Sequence, residues 1–528
     1  MSRLAFPVNP LDSRIQNLVV MVSGVVMALS FPGFDWTILA WVAWVPFFYA
    51  LWPVRTIRGV CARFAWMGAG FFLTLLYWFM AMHPLTWLGF SELSSLGVVT
   101  FAYAGATALM LLQLLGVGLV IGVYFKVRPK RDGVTVLMLA LAWVVFEWLI
   151  SLGPFGFTWS NLALTQTRWL LPVQILDLVG PFPFAGLLVG FNAALALAIH
   201  THGKELWRSR PLWIASALAM LNLGYGAWRL MQPLPAATID VQLVQGNLAG
   251  SEKWLQGPER ITRALERYER LSQSALGPGL TIWPETAVPT YLRNEPSTLA
   301  RLENRARDTQ RSMMFGTMDW EGRQPNIKLF NAVAAIDDGG RLMGFDYKRH
   351  LVPYGEYVPF RQWMPNFLMQ MNIVGLDFYP GVAPKVFEFP FAKVGSGVCY
   401  DGIFPDAIRP AVRAGAELIV LVTNDAWYKD TVAPRVLNAH AVLRAIENRR
   451  WICRAATTGI SSIIDAHGRV LAATPLYQEV VLNGRVAKMS SHSLFVLWGD
   501  WLSPICLGLL MLLLLQGWRT QKRGESGP

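Results

Sequence analysis

Charge is scarce in this chain. Of 528 residues only 15% are Asp, Glu, Lys or Arg, whereas 54% are hydrophobic, with 23 Trp and 29 Phe. So little polar surface cannot cover a globule in water, which excludes an ordinary soluble protein. Cysteine is sparse too. Cys61, Cys399, Cys453 and Cys506 are the four in the chain, too few for a disulfide scaffold. Internal repeats and low-complexity tracts are missing, which excludes solenoids and repetitive linkers. Residues 233–490 also lack the His/Cys/Glu spacings of a zinc site, so neither a metal nor a cofactor is expected.

Long apolar runs are what the chain does have. A bilayer-crossing helix needs about 20 mostly apolar residues. Runs near 16–32, 36–53, 60–82, 96–125, 134–152, 178–200, 211–230 and 494–517 qualify. The expected organisation is therefore a membrane domain over 1–232 with seven transmembrane helices, a globular segment over 233–490 and a C-terminal transmembrane helix in 491–518. A short tail, 519–528, follows. No cleavable signal is expected, because the first apolar run leads directly into further spans.

The net charge of +12 has a topological pattern. Arg3 and Arg14, then Arg55, Arg58 and Arg63, then Lys126, Arg128, Lys130 and Arg131, then Lys204, Arg208 and Arg210, and finally Arg519, Lys522 and Arg523 occupy alternate loops. Arg168 and Arg229 are the exceptions in the opposite loops. This is the positive-inside pattern. It places both termini in the cytoplasm and residues 233–490 on the far side of the membrane. The cations form neither a patch nor an aromatic-interleaved stripe, so nucleic acid is not an expected partner.

Within 233–490, apolar strand-like runs alternate with helical ones. Strands are expected at 239–247, 280–286, 313–320, 331–337, 385–389, 392–400, 417–425, 452–459 and 461–473, the last interrupted by a tight turn at DAHGRV. Helical patterns fill 258–276, 298–310, 404–416 and 433–450. Such alternation indicates an α/β layered domain. Residues 350–384, rich in Pro, Gly, Met and aromatics, fit neither pattern, and we expect a mobile apolar arm touching lipid. Glu147, inside the fifth apolar run, is a carboxylate in an expensive place; a structural hydrogen-bonding role is expected for it.

Three segments end strands with reactive side chains: TIWPETAVP with Glu285, DYKRHLVPYGEYVP with Lys348 and Glu356, and GSGVCYDGIFP with Cys399. Strand ends and their loops are where α/β sheets gather functional groups. A thiol, a carboxylate and an ammonium converging there suit nucleophilic chemistry: the carboxylate accepts the thiol proton and the cation stabilises an oxyanion. Cys399 must then remain free of Cys453, although an oxidising compartment permits a bond between them.

These motifs resemble the carbon–nitrogen hydrolase (nitrilase) superfamily, and within it the apolipoprotein N-acyltransferase family. WPETAVP, KRHLVPYGEYVP, GVCYDGIFP and TNDAWY carry the resemblance, with LSFPGFDWTILAWVAWVPFFYAL, FEWLISLGPFGFTWSNLALTQ and VQGNLAGSEKW in support. The resemblance implies an αββα sandwich beside about eight transmembrane helices. It implies Glu285 as general base, Lys348 at the oxyanion, Cys399 as nucleophile and Glu356 orienting Lys348. Trp254, Tyr400, Asp401, Asn424 and Trp427 match positions around the site. The chain departs from the pattern at Asp401, where Glu is frequent, and at Lys429, Ala439 and Ile150; His440 is kept.

The implied activity is cofactor-free, ping-pong transfer of an acyl chain from a glycerophospholipid to the amine of a diacylglyceryl-cysteine lipoprotein. The implied place is the bacterial inner membrane, with the catalytic domain periplasmic and the chain a monomer. Two alternatives stay open: a membrane-anchored amidase using the same triad with water, and a non-enzymatic transporter or scaffold. A transporter should show paired intramembrane charges or broken helices in two related halves, and the sequence has neither.

Overall fold

A computed structural model describes residues 13–86, 89–248, 258–275, 277–323, 326–363 and 377–525. Trp254 and the middle of the expected apolar arm, 364–376, lie outside these residues. The chain opens with helices α1 (Ser13–Ala28), α2 (Val45–Leu51), α3 (Ile57–Leu75), α4 (Glu92–Val127), α5 (Gly133–Leu149), α6 (Leu176–Val179), α7 (Pro181–His202) and α8 (Arg210–Met231). The starts of α3, α4 and α5 carry side-chain caps that satisfy otherwise unpaired amides. Thr56 accepts from the Gly59 amide ahead of α3, Ser91 from Ser94 ahead of α4, and Asp132 from Val134 and Thr135 in a capping box ahead of α5.

Among the described residues, four helical stretches are long and apolar enough to cross a membrane: Ile57–Met82, Glu92–Val127, Pro181–His202 and Leu502–Lys522. Ser13–Ala28, Thr37–Leu51 and Gly133–Leu149 are apolar but shorter. The expected run at 36–53 is a 3-10 turn (Thr37–Trp41) followed by α2. Buried Asn192 of α7 repairs that break by donating to the Ala40 carbonyl (3.0 Å) and accepting from the Trp44 amide (2.9 Å). Irregular backbone among apolar helices needs such partners because no water supplies them. The last apolar run is also divided, at Gly499 with φ +65°.

Glu147 serves a similar purpose. It accepts from Trp143 Nε1 (2.9 Å), Asn161 Nδ2 (3.0 Å) and the Leu162 amide (3.0 Å). Three donors on one buried carboxylate fix the turn of chain that leaves α5.

Beyond α8 two six-stranded sheets stack. In chain order their elements are β1 (Ile239–Gln245), α9 (Pro258–Leu271), β2 (Leu280–Trp283), α10 (Pro296–Thr309), β3 (Ser312–Glu321), β4 (Lys328–Ile336), β5 (Leu342–Tyr347), β6 (Phe387–Glu388), β7 (Lys393–Val398), α11 (Pro405–Arg413), β8 (Leu418–Thr423), α12 (Ala433–Asn448), β9 (Ile452–Ala456), β10 (Ser462–Ile464), β11 (Val470–Ala473) and β12 (Val480–Val486). Helices α13 (Leu494–Trp498) and α14 (Leu502–Glu525) close the chain. The first sheet runs β12-β1-β2-β3-β4-β5, the second β11-β10-β9-β8-β7-β6. β1–β2–β3 and β7–β8–β9 pair in parallel, and the outer strands are antiparallel.

Leu243, Ile282 and Val333 of one sheet pack on Val394, Val420 and Cys453 of the other. α9 and α10 cover the first sheet through Leu265, Tyr268 and Leu302. α11 and α12 cover the second, and Ala407, Val436 and Leu443 share one core with Leu164 and Leu176 of the helical part. The layers are therefore helix–sheet–sheet–helix, with the second helix layer serving both domains. The sequence reading omitted β5 and β12. Gly344 breaks the apolar pattern of the first, and β12 is a half-exposed edge, LNGR, without a clean alternation.

A buried ionic cluster locks the two parts together. Asp177 Oδ2 accepts from Arg449 Nε (2.8 Å) and Arg229 Nε (2.9 Å), and its Oδ1 accepts from Tyr225 Oη (2.8 Å). Arg449 also donates to Gln174 Oε1 (2.8 Å), and Gln174 Nε2 donates to the His467 carbonyl (2.9 Å). Removing one member of such a cluster strands a buried charge. Asp177→Ala is expected to cost about 3–5 kcal/mol, read as a lowered thermal midpoint in detergent, whereas Arg263→Ala, whose ion pair is exposed, leaves the midpoint unchanged.

Candidate active site

Three strand ends meet at one point. Glu285 follows β2, Lys348 follows β5 and Cys399 follows β7. Each is set by local chain geometry. The β2 end turns sharply: Thr286 has φ +56°. Gly316 on neighbouring β3 leaves the space, since a Cβ there would lie 2.5 Å from Glu285 Cα. Cys399 itself has φ +48°, in the left-handed region that a non-glycine residue adopts only when its surroundings enforce it. The 3-10 turn Cys399–Ile403 follows directly.

What enforces that turn is Asp401. Fully buried, its carboxylate accepts from the amides of Val398 (3.0 Å), Arg349 (3.1 Å) and His350 (2.7 Å). The shorter acid thus reaches both the cysteine turn and the loop that carries Lys348. Arg349 doubles the clamp, donating to Asp346 (3.0 Å) and to the Ser396 carbonyl on β7 (2.7 Å). Tyr400 faces the other way, its hydroxyl donating to the Gly156 carbonyl (2.9 Å) among the chain that follows α5.

Lys348 is buried at 1% exposure yet ionic. Its Nζ lies 2.8 Å from Glu356 Oε2 and 3.6 Å from Glu285 Oε1. Burial alone would lower its pKa, but the charges of Glu356 and Glu285 more than offset that and hold the ammonium firmly protonated. Asn331, on β4, ties the two acids together: its Nδ2 donates to Glu285 Oε1 and to Glu356 Oε1, both at 2.8 Å. Glu356 Oε2 also accepts from the Val352 amide (2.8 Å). The second oxygen of Glu285, Oε2, has no hydrogen-bond partner among the described residues. That oxygen is the one left for chemistry.

The Cys399 thiol is pushed up to about 12, by burial first and by the Glu285 charge second, with Lys348 pulling the other way. It is therefore a thiol at neutral pH, and could act as a nucleophile only with a base to take its proton. All four cysteines are free; Cys453 is packed between the sheets.

Cys399, Glu285, Lys348 and Glu356 line one cavity of about 2030 Å³, together with Tyr400, Asn424 and Trp427. Its far wall comes from the helical part: Trp78, Phe79, Trp159 and the face of α4 around Ala106. Trp78 bridges the two, with its ring 5.0 Å from Tyr428 and 4.8 Å from Trp159. His440 lies behind this wall, buried, its ring 6.5 Å from Trp159 and pushed well below the usual histidine range by burial. Asn331, Gly316 and Arg349 were missed by sequence reasoning. A buried Asn opening the apolar run NAVAAI was a visible signal for the first, but Gly316 and Arg349 act through contacts between strands that are distant in sequence. Among the described residues no group of His, Cys, Asp and Glu is placed to hold a metal.

Thiolate absorbance, taken as the difference from Cys399→Ser, is expected to show no ionisation below about pH 10. Glu285→Gln moves the transition down, because a raising charge is gone, and Lys348→Met moves it up. A native transition near the ordinary cysteine value of about 8.5 contradicts this electrostatic arrangement.

Residues 241–489 match the family model for carbon-nitrogen hydrolase, and residues 23–195 match that for the apolipoprotein N-acyltransferase N-terminal domain. Proteins named apolipoprotein N-acyltransferase from Geobacter metallireducens and Gloeobacter violaceus are 33% and 30% identical to this chain. The alignments cover 96% of this chain and 96% of the relative in the first case, and 95% and 94% in the second. A solved amidase from Nesterenkonia sp. aligns over 49% of this chain and 94% of its own at 19% identity and a TM-score of 0.35, too low a score to carry weight, and the fold statement rests on the strand pairing. With full-length relatives at this identity and both domain models matched in order, the chain belongs to the apolipoprotein N-acyltransferase family.

Proposed function

We propose that this enzyme transfers a fatty acyl chain from a glycerophospholipid, through a thioester on Cys399, to the α-amine of the diacylglyceryl-cysteine of lipoproteins. One observation carries the reading: the cavity that holds the thiol is walled on its other side by apolar helices. An aqueous hydrolase has no use for such a wall, whereas substrates carrying acyl chains need one. The names of the full-length relatives support the acceptor.

In the first half-reaction Cys399 Sγ attacks the ester carbonyl while Glu285 Oε2 takes its proton. Lys348 stays charged throughout and faces the oxyanion, its position fixed by Glu356. Collapse breaks the ester C–O bond, and the lysophospholipid oxygen leaves with the proton that Glu285 held. In the second half the lipoprotein amine attacks the thioester, Glu285 accepts the amine proton, and the Cys399 sulfur leaves and is reprotonated. Asn331 joins the two carboxylates through one oxygen of each and keeps them aligned on one ammonium. Asp401 and Tyr400 keep the nucleophile turn in place against the two flanking segments, and Asn424 and Trp427 shape the cavity wall. Trp254 belongs to this reading by its motif alone.

The same reading places the chain in the inner membrane with about eight spans, seven in 1–232 and one in 491–518. Residues 233–490 form the periplasmic catalytic domain, both termini are cytoplasmic and the enzyme works as a monomer without a cofactor. The alternate-loop cations support that orientation.

Intact mass of the purified enzyme after incubation with phosphatidylethanolamine should show an acyl adduct on Cys399 that hydroxylamine removes, and none in Cys399→Ser. Lipopeptide added next should carry the acyl chain on its amine; release of free fatty acid instead would favour the amidase alternative. Glu285→Gln and Lys348→Ala should each lower transfer by about a hundredfold or more while the protein stays folded and membrane-inserted, Lys348→Ala at a lowered thermal midpoint because two buried carboxylates lose their cation, and near-native turnover in either removes that residue from the mechanism.

A further inference from the structure

The α4 residues in the cavity include Val98, Ala102, Gly105, Ala106, Leu109 and Met110, with Val99 and Phe101 beside them; the first six are spaced three, four and seven apart, along one side of a helix. The middle of this stripe is open: a Cβ built on Gly105 would meet nothing within 4 Å. Its end is shut. Met110 is 2% exposed and Leu114, one turn further, is 0% exposed. There α3 closes on α4, since a Cβ on Gly68 would lie 2.6 Å from Leu114 Cδ2. The same cavity holds the reactive thiol and is lined by Tyr428 and Trp78, whose rings touch edge to face.

Resting on the acyl-transfer reading above, we infer that Met110 is the floor of a chain-length gauge: the saturated acyl chain carried on Cys399 lies along α4 over Ala102, Gly105 and Ala106 and is measured against the Met110 side chain. From Val98 to Met110 the helix rises about 18 Å at 1.5 Å per residue. An extended hydrocarbon advances about 1.3 Å per carbon for C–C bonds near 1.5 Å, so the stripe accommodates roughly 14 carbons. The small residues leave the bore open along its length, and the methionine, unbranched and deformable, ends it. A polar chain has no complement here, because this wall presents only apolar side chains.

The test uses the full-length enzyme in detergent, given an equimolar mixture of phosphatidylethanolamines with saturated chains from decanoyl to arachidoyl, with adduct masses on Cys399 read together. Ala106→Phe narrows the bore one turn above the floor, and its adducts should shift to shorter chains. Met110→Ala lowers the floor, and its adducts should shift to longer ones. Each methylene forced against the floor or given room is expected to change the ratio of adjacent chain lengths by about tenfold. Opposite shifts in the two variants support the gauge; a folding defect would lower all chains alike. Unshifted profiles, or uniform loss in both variants, overturn the gauge alone. No adduct on the native enzyme with any chain overturns the acyl-transfer reading and the gauge with it.

Discussion

A buried lysine governs the centre of this molecule. An ammonium at 1% exposure is costly unless neutralised and hydrogen-bonded. Here Glu356 and Glu285 do so together, with Asn331 holding one oxygen of each. Two carboxylates around one cation leave a net negative charge beside the cysteine, and with burial this keeps the sulfur protonated. The arrangement thus stores no ready thiolate. It holds a carboxylate with one oxygen that has no hydrogen-bond partner among the described residues, beside an ammonium kept protonated, and on the proposed reading the nucleophile forms only during attack.

Much of the surrounding structure exists to hold that arrangement. Glu285 and Lys348 stand at strand ends of one sheet and Cys399 at a strand end of the other, so the sheets must not slide. Asp401 and Arg349 prevent sliding by bonding the Lys348 loop to the Cys399 turn through backbone amides and carbonyls. Tyr400 and Thr158 extend the same restraint into the chain after α5, the latter by donating to the Ile403 carbonyl at 2.7 Å. At the far end of α12, Arg449 and Asp177 repeat it. The catalytic sandwich is consequently fastened to the helices on both sides of its cavity, which keeps an apolar wall facing a polar centre.

That juxtaposition also explains the division of labour between helices. α4 is buried mainly in its second half, where it meets α3, and its first half contributes small and apolar side chains to the cavity. α12 is buried along nearly its whole length because one face covers β8 and β9 and the other covers the helical part. Neither pattern serves a helix that merely spans or merely decorates a sheet.

Composition and periodicity were enough to separate the apolar helices from an α/β segment, because a hydrophobic run or a strand alternation is a local property written in adjacent residues. Glu285, Lys348, Glu356 and Cys399 were legible for a related reason: each sits in a short motif at a strand end. The counting of spans was less secure, since the break at 37–45 depends on Asn192 reaching across from another helix. β12 was hidden because an edge strand is defined by its partner. What only the tertiary structure decided was the meeting of distant parts: Gly316 making room for Glu285, Asn331 joining two acids, Asp401 bonding three amides, and α4 forming one wall of the cavity that holds the thiol. Contacts between strands and helices hundreds of residues apart leave no periodic trace in the chain, because packing and not local propensity selects them.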